Sequence, residues 1–236
     1  MPRRRRSALP ARLMTRPDRG PQPDVLAELR QVIVAGGVPP GNPVPVGEVA
    51  RALGVSPIPV RESLRQLIGE GLVEHTPNIG FTITQLTPNE FAEIYLVREL
   101  LENAALAAAV SSAGDADIRA AQAACDELDR AIREGDAAGY HQYSRAFHLA
   151  LVRPSRMGRL LHILELAWNV TEPVQPMAYV PDADRVSLHD EHKQMLDAFV
   201  ARDTAGLLGV SEQHYDRLKV AIGNLPPETG LFSPDR

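Results

Sequence analysis

A mainly α fold is predicted for this chain: an N-terminal winged helix-turn-helix followed by an all-helical bundle of about six helices. Three observations carry that expectation. Residues 47–71 hold two short apolar-periodic runs separated by Gly54, and two β-prone runs follow on either side of residues 76–80. Residues 87–223 contain no convincing strand and repeat amphipathic stripes between Gly and Pro breaks. Aromatic residues make up only 5% of the chain, and Ala and Leu are abundant, a composition that leans towards helix.

In chain order, Val25, Leu26, Leu29, Val32 and Ile33 form the first apolar stripe, which Gly36, Gly37, Pro39 and Pro40 terminate. Val49, Ala50 and Leu53 give the second helix its buried side, and Gly54 permits a tight turn. Ser56 is a good N-cap, and Pro57 and Pro59 fall in the first turn, where backbone N–H groups have no intrahelical partner. Val60, Leu64, Leu67 and Ile68 then supply an apolar face, and Gly71 stops the helix. Arg61 and Arg65 stand four apart on the opposite side, so both guanidinium groups can enter a major groove. The runs 72–75 and 81–84 make a hairpin wing.

Thr87, Pro88 and Glu90 form a capping-box start for the next domain. Within it, helices are expected over 88–112, 115–134, 136–152, 156–170, 182–202 and 203–222. The stripe Phe91, Ile94, Tyr95, Val97, Leu101 and Ala105 is typical of their apolar faces. The predicted organisation is a disordered Arg-rich tail over 1–22, the winged domain over 23–86, the bundle over 87–223 and a C-terminal tail over 224–236.

Net charge is −5, unevenly spread: residues 1–22 carry +6, residues 23–86 carry −2 and the remainder −9. The winged domain therefore has almost no basic footprint of its own. Arg3, Arg4, Arg5 and Arg6 either help hold a DNA backbone, whose neutralisation supplies much of the affinity, or form a tail with no role. The single cysteine, Cys125, excludes an internal disulfide and suits a reducing cytosol. No apolar run is long enough to cross a bilayer, and the basic N-terminus lacks the apolar core of a signal peptide, so a cytoplasmic protein with no membrane partner is expected.

Pro40 and Gly41, the run Gly-Val-Ser-x-x-Pro-Val-Arg-Glu-Ser-Leu over 54–64, Leu67, Glu-Gly-Leu-Val over 70–73 and Gly80 together resemble the DNA-binding domain of GntR-type bacterial transcription regulators. The resemblance implies double-stranded DNA as partner, a homodimer and a short palindromic operator. It assigns DNA contact to Arg51, Ser56, Arg61, Arg65 and Gly80. Two departures stand out. Pro57 occupies the position where the family usually has an arginine and Ile58 that of a small polar residue. The wing tip carries Asn78 and Ile79 where a basic residue is common. Operator preference is therefore expected to differ from the family norm.

Residues 87–222 are similar to the FCD effector domain of the FadR-like branch. The residues that carry the likeness are Arg98, Leu100, Leu101 and Glu102, Phe147 and His148, Glu191, His192, Leu196 and Ala198, and His214. The likeness implies a small-molecule effector, a carboxylate by class, and a divalent metal of zinc or nickel type on His148, His192 and His214. The metal-binding carboxylate of such domains stands one helical turn before the first histidine, and here that position is Ser144. A serine hydroxyl is a poor ligand at neutral pH, which leaves the position to water or to the effector. Arg98 is assigned to the effector carboxylate, or else to a bundle glutamate, because a buried arginine needs an anion. His141, His162 and His189 read as packing or solvated histidines. Two other functions compete with the effector-responsive regulator: a dimeric DNA-binding protein whose bundle only dimerises, and a metal-dependent enzyme using three histidines to activate water. The enzyme has no evident general base, and the DNA reader argues against it.

Overall fold

The computed structural model describes residues 7–14, 24–223 and 232–233. The arginine run at 3–6 and most of the C-terminal tail expected over 224–236 lie outside the described residues. The chain divides into two compact units, one built from residues up to Pro88 with 168–174, the other from 89–167 and 175–228.

The first unit holds helices α1 (Leu9–Met14), α2 (Val25–Val34), α3 (Val46–Leu53) and α4 (Pro57–Gly69), then strands β1 (Val73–Thr76) and β2 (Gly80–Ile83). The strands pair antiparallel in the register Val73↔Ile83 to Thr76↔Gly80. Asn78 and Gly80 both take positive φ in the connecting turn, the first at 66° and the second at 102°, a geometry natural to Asn and Gly. The core joins Leu29 and Ile33 of α2, Val49 and Leu53 of α3, Val60, Leu64 and Leu67 of α4, and Phe81 and Ile83 of β2. Arg30 on α2 grips Glu70 through two contacts, Nε to Oε2 at 2.8 Å and a second guanidinium nitrogen to Oε1 at 2.6 Å, which ties the C-terminal end of α4 to α2.

Part of the segment expected to be a disordered tail is ordered instead. Leu9 and Leu13 of α1 are fully buried in this same core. They stand four apart and so share one helical face; two apolar residues are too few to register as periodicity, which is why the sequence conceals the helix.

The second unit is helical: α5 (Pro88–Ser112), α6 (Asp115–Glu134), α7 (Ala137–Val152), α8 (Gly158–Thr171), α9 (Asp182–Val200) and α10 (Thr204–Gly223). Gly135, in the left-handed region with φ 66°, closes α6 and lets the chain turn into α7. Asp136 caps α7 by accepting from the Gly139 amide at 2.9 Å. The buried stripe of α5 is Phe91, Tyr95, Arg98, Glu102, Ala105, Leu106 and Ala109, with Val110. Val97, expected inside, is 40% exposed, because the inward face runs through the charged pair Arg98 and Glu102.

If α1 belongs to the core, Leu13→Ala removes about 2–5 kcal/mol of stability, read from urea unfolding of the full chain. An effect below about 0.5 kcal/mol, the level of surface substitutions, is incompatible with the packing described.

Candidate DNA-reading helix and histidine centre

α4 presents two faces. Val60, Ser63, Leu64 and Leu67 are buried, while Ser56, Pro57, Ile58, Arg61, Glu62, Arg65 and Gln66 are exposed. Ser56 occupies the N-cap position with extended backbone but makes no side-chain capping bond. An N-cap oxygen accepts from the amide two or three residues on, and the third is Pro59, which has no N–H. Ser56 itself is exposed.

The other predicted contacts fall around this helix. Arg51 is exposed on α3, with Nε donating to the Gly47 carbonyl at 3.3 Å. Gly80 begins β2 at the wing turn, next to exposed Ile79. Arg61 and Arg65 lie free of the core on α4. The predicted reading residues thus share the outward side of the helix-turn-helix or stand at the wing.

In the bundle, α7, α9 and α10 bring His148, His192 and His214 together, all buried, with one ring nitrogen of each within 4.8 Å of the others. His148 Nε2 and His192 Nε2 are 3.1 Å apart. Two imidazoles on one zinc-like ion, with metal–nitrogen bonds near 2.1 Å at tetrahedral or octahedral angles, bring their nitrogens to about 3.0–3.4 Å. The donor set therefore fits such an ion.

Carboxylates orient two of the three rings. Glu102 on α5, with no solvent exposure, meets His148 Nδ1 at 2.5 Å and accepts from the Tyr215 hydroxyl at 2.8 Å on its other oxygen. Burial pushes the Glu102 carboxyl up, but His148, the Tyr215 hydroxyl and the charge of Arg98 outweigh it and bring it below its ordinary value. Glu191 on α9 meets His214 Nδ1 at 3.1 Å and takes a 2.6 Å bond from Arg217 Nε. Burial raises that carboxyl too, and the bonds to His214 and Arg217 lower it overall. An ionised carboxylate can only accept, so each of these two Nδ1 atoms carries a proton and leaves Nε2 as the ring nitrogen that can ligate. Burial depresses His214 despite Glu191, and burial together with the neighbouring histidines depresses His192 strongly. Neutral imidazoles are the ligating form.

Ser144 is half-buried on α7, one helical turn before His148. Arg98 is buried, with its guanidinium carbon 4.3 Å from the Tyr95 ring centroid, and it helps keep Glu102 ionised. His189 is a packing histidine with a partner, its Nε2 2.8 Å from Asp129 on α6. His141 is buried outside the cluster, and His162 is exposed on α8. The orienting groups Glu102, Tyr215, Glu191 and Arg217 were not among the sequence-predicted site residues. Glu102 was legible in part, since it stands seven residues after Tyr95 on the inward stripe; nothing in the sequence pairs Glu191 with His214.

A winged helix-turn-helix joined to a helical bundle with a buried polar centre defines a class, the DNA-binding transcription regulators. The chain matches the bacterial regulatory proteins of the gntR family over residues 21–83 and the FCD domain over residues 93–217, and it belongs to the GntR family, among members with an FCD domain. It is 31% identical over 189 residues to a Paenarthrobacter nicotinovorans protein named "Probable D-xylose utilization operon transcriptional repressor", covering 76% of this chain and 80% of that one. It is 28% identical over 183 residues to the transcriptional regulator McbR of Escherichia coli K12, covering 76% and 82%. The solved structure of E. coli McbR shares the fold with a TM-score of 0.76 at 24% identity, over 84% of this chain and 95% of that one. These relatives are regulators, not enzymes. No helix among the described residues is long and apolar enough to cross a membrane.

Tyr215→Phe withdraws a donor from a fully buried carboxylate. The expected loss is about 1–3 kcal/mol of stability, measured by denaturant unfolding; no change would mean that Glu102 does not depend on this hydroxyl.

Proposed function

We propose that this GntR-family protein is a cytoplasmic homodimer that reads a short palindromic operator and responds to a small carboxylate, through a divalent ion in the bundle. The observation that carries the sensing half is the convergence of three buried imidazoles, two of them oriented by buried carboxylates. His148, His192 and His214 would hold the ion, zinc or nickel by donor type, which would offer open positions to an acidic ligand. Ser144, standing where a fourth protein ligand is usual, leaves such a position to water or effector. Arg98 adds positive charge on the α5 side and favours an anionic guest.

Coupling to DNA requires that the effector bind unequally to two arrangements of the paired reading domains. Leu96, Val97 and Leu100 form an exposed apolar set on one side of α5, at 49%, 40% and 63% exposure, and supply a face on which two copies could pair. The reading half rests on Arg61 and Arg65 on one face of α4, with Arg51, Ser56 and the wing around Gly80 as supporting contacts. The absence of a carboxylate at Ser144 favours one second reading, an effector-independent dimer.

Titration calorimetry of the full chain with zinc and nickel separates the two. Saturable binding that His192→Ala abolishes, that Glu102→Gln weakens about 10–100-fold and that Ser144→Asp strengthens is expected of a sensor. No metal binding together with no thermal shift from any carboxylic acid leaves only the dimeriser. On the DNA side, Arg61→Ala and Arg65→Ala should each cost about 1–3 kcal/mol on a specific duplex, measured by gel shift. Equal affinity of the unaltered protein for scrambled DNA would remove the base-reading assignment.

A further inference from the structure

The geometry points to Ile58 as a sequence-reading residue that recognises the C5-methyl group of a thymine beside a base pair read by Arg61. This rests on the assignment of Arg61 and Arg65 to base contact.

Ile58 is the second residue of α4 and is 67% exposed. Its neighbours at three and seven residues on are Arg61 and Arg65, so it lies on their face of the helix and not on the face buried through Val60, Leu64 and Leu67. The N-terminal residues of a recognition helix are the ones that meet base edges. Here that end is poor in donors. Of the first three helical residues, Pro57, Ile58 and Pro59, only Ile58 has a backbone N–H, so the usual anion-binding character of a helix N-terminus is weakened. Neither Pro57 nor Ile58 has a side-chain donor or acceptor. What this end offers the groove is branched hydrocarbon, flanked by the Ser56 hydroxyl.

The major groove presents one methyl group among its base edges, that of thymine; apart from the small C5–H of cytosine, the other edge positions are hydrogen-bond donors or acceptors. Against a polar edge, Ile58 would strip water from groups that it cannot satisfy. Against a methyl it loses water from both partners favourably. Three residues advance a helix by about 4.5 Å, close to the roughly 3.4 Å between stacked base pairs, so Ile58 and Arg61 address neighbouring pairs. Arginine at such a position favours guanine, and the element read is a thymine next to a G·C pair.

The test uses duplexes enriched by the full-length protein from a randomised library, rebuilt with each thymine replaced singly by deoxyuridine. That exchange removes the methyl and keeps the base pair. One thymine in each half-site, adjacent to a guanine whose substitution matters to the unaltered protein but not to Arg61→Ala, is expected to lose about fourfold in affinity on replacement, the effect of one buried methyl. Ile58→Ala, at an exposed position that leaves the core intact, should bind thymine and deoxyuridine equally there, while Ile58→Val keeps the discrimination. Indifference of the unaltered protein to every replacement overturns the proposal, as does an undiminished penalty in Ile58→Ala. Enrichment of no specific sequence would overturn base reading by Arg61 and Arg65 along with it, a result distinct from specific binding without methyl sensitivity.

Discussion

Glu102 carries a negative charge at a point with no access to solvent, and the arrangement of the bundle follows from the need to compensate it. An isolated buried carboxylate would be costly enough to be neutralised. Here α7 supplies His148, α10 supplies the Tyr215 hydroxyl, and Arg98 one turn away on the same helix supplies positive charge. Each partner is fixed by the carboxylate it serves, so the His148 ring has a defined orientation. Glu191 does the same for His214 from α9, with Arg217 holding its other oxygen. The histidine cluster is therefore the inner layer of a structure whose outer layer is ionic, and the precision of the first depends on the second.

The reading domain solves the opposite problem. Its core is mainly apolar, and its outward helix face has little charge to offer. Pro57 and Pro59 remove amides from the start of α4, and Ser56 makes no capping bond there. The Arg30–Glu70 pair holds α4 in place, and Arg51, Arg61 and Arg65 stay exposed on α3 and α4.

Much of this was legible in the sequence because its signals are local. Gly54, Ser56 and the proline pair place the turn and the start of α4, and the boundaries of α5 and α6 follow from Pro88, Gly114 and Gly135. The three metal-type histidines were recognised only through resemblance, since His148, His192 and His214 come from three helices and no spacing links them. Their orienting carboxylates were harder still. A glutamate on a helix reads as solvent-facing, and only the packing of α5 against α7 and α10 shows that Glu102 points inward while apolar Val97 points out. The small helix α1 escaped because two leucines cannot establish a period. Ser56 takes the N-cap position its sequence context predicts but makes no capping bond, and Pro59 removes one of the two amides it could have accepted from.

Arg202 sits in the turn after α9 with φ 56° and sends its guanidinium to the carbonyls of Val110 at 2.6 Å and Ala113 at 2.7 Å, at the C-terminal end of α5. Three helices that bear on the histidine centre are thus joined at one end by a single side chain. Sliding α9 and α10 along α5 by a helical turn would break that joint, whereas tilting about it would not. Lys219, near the other end of α10, adds an ion pair to Glu99 of α5 at 2.7 Å, so α10 is pinned to α5 at two levels and the histidine centre lies on helices whose mutual register is fixed.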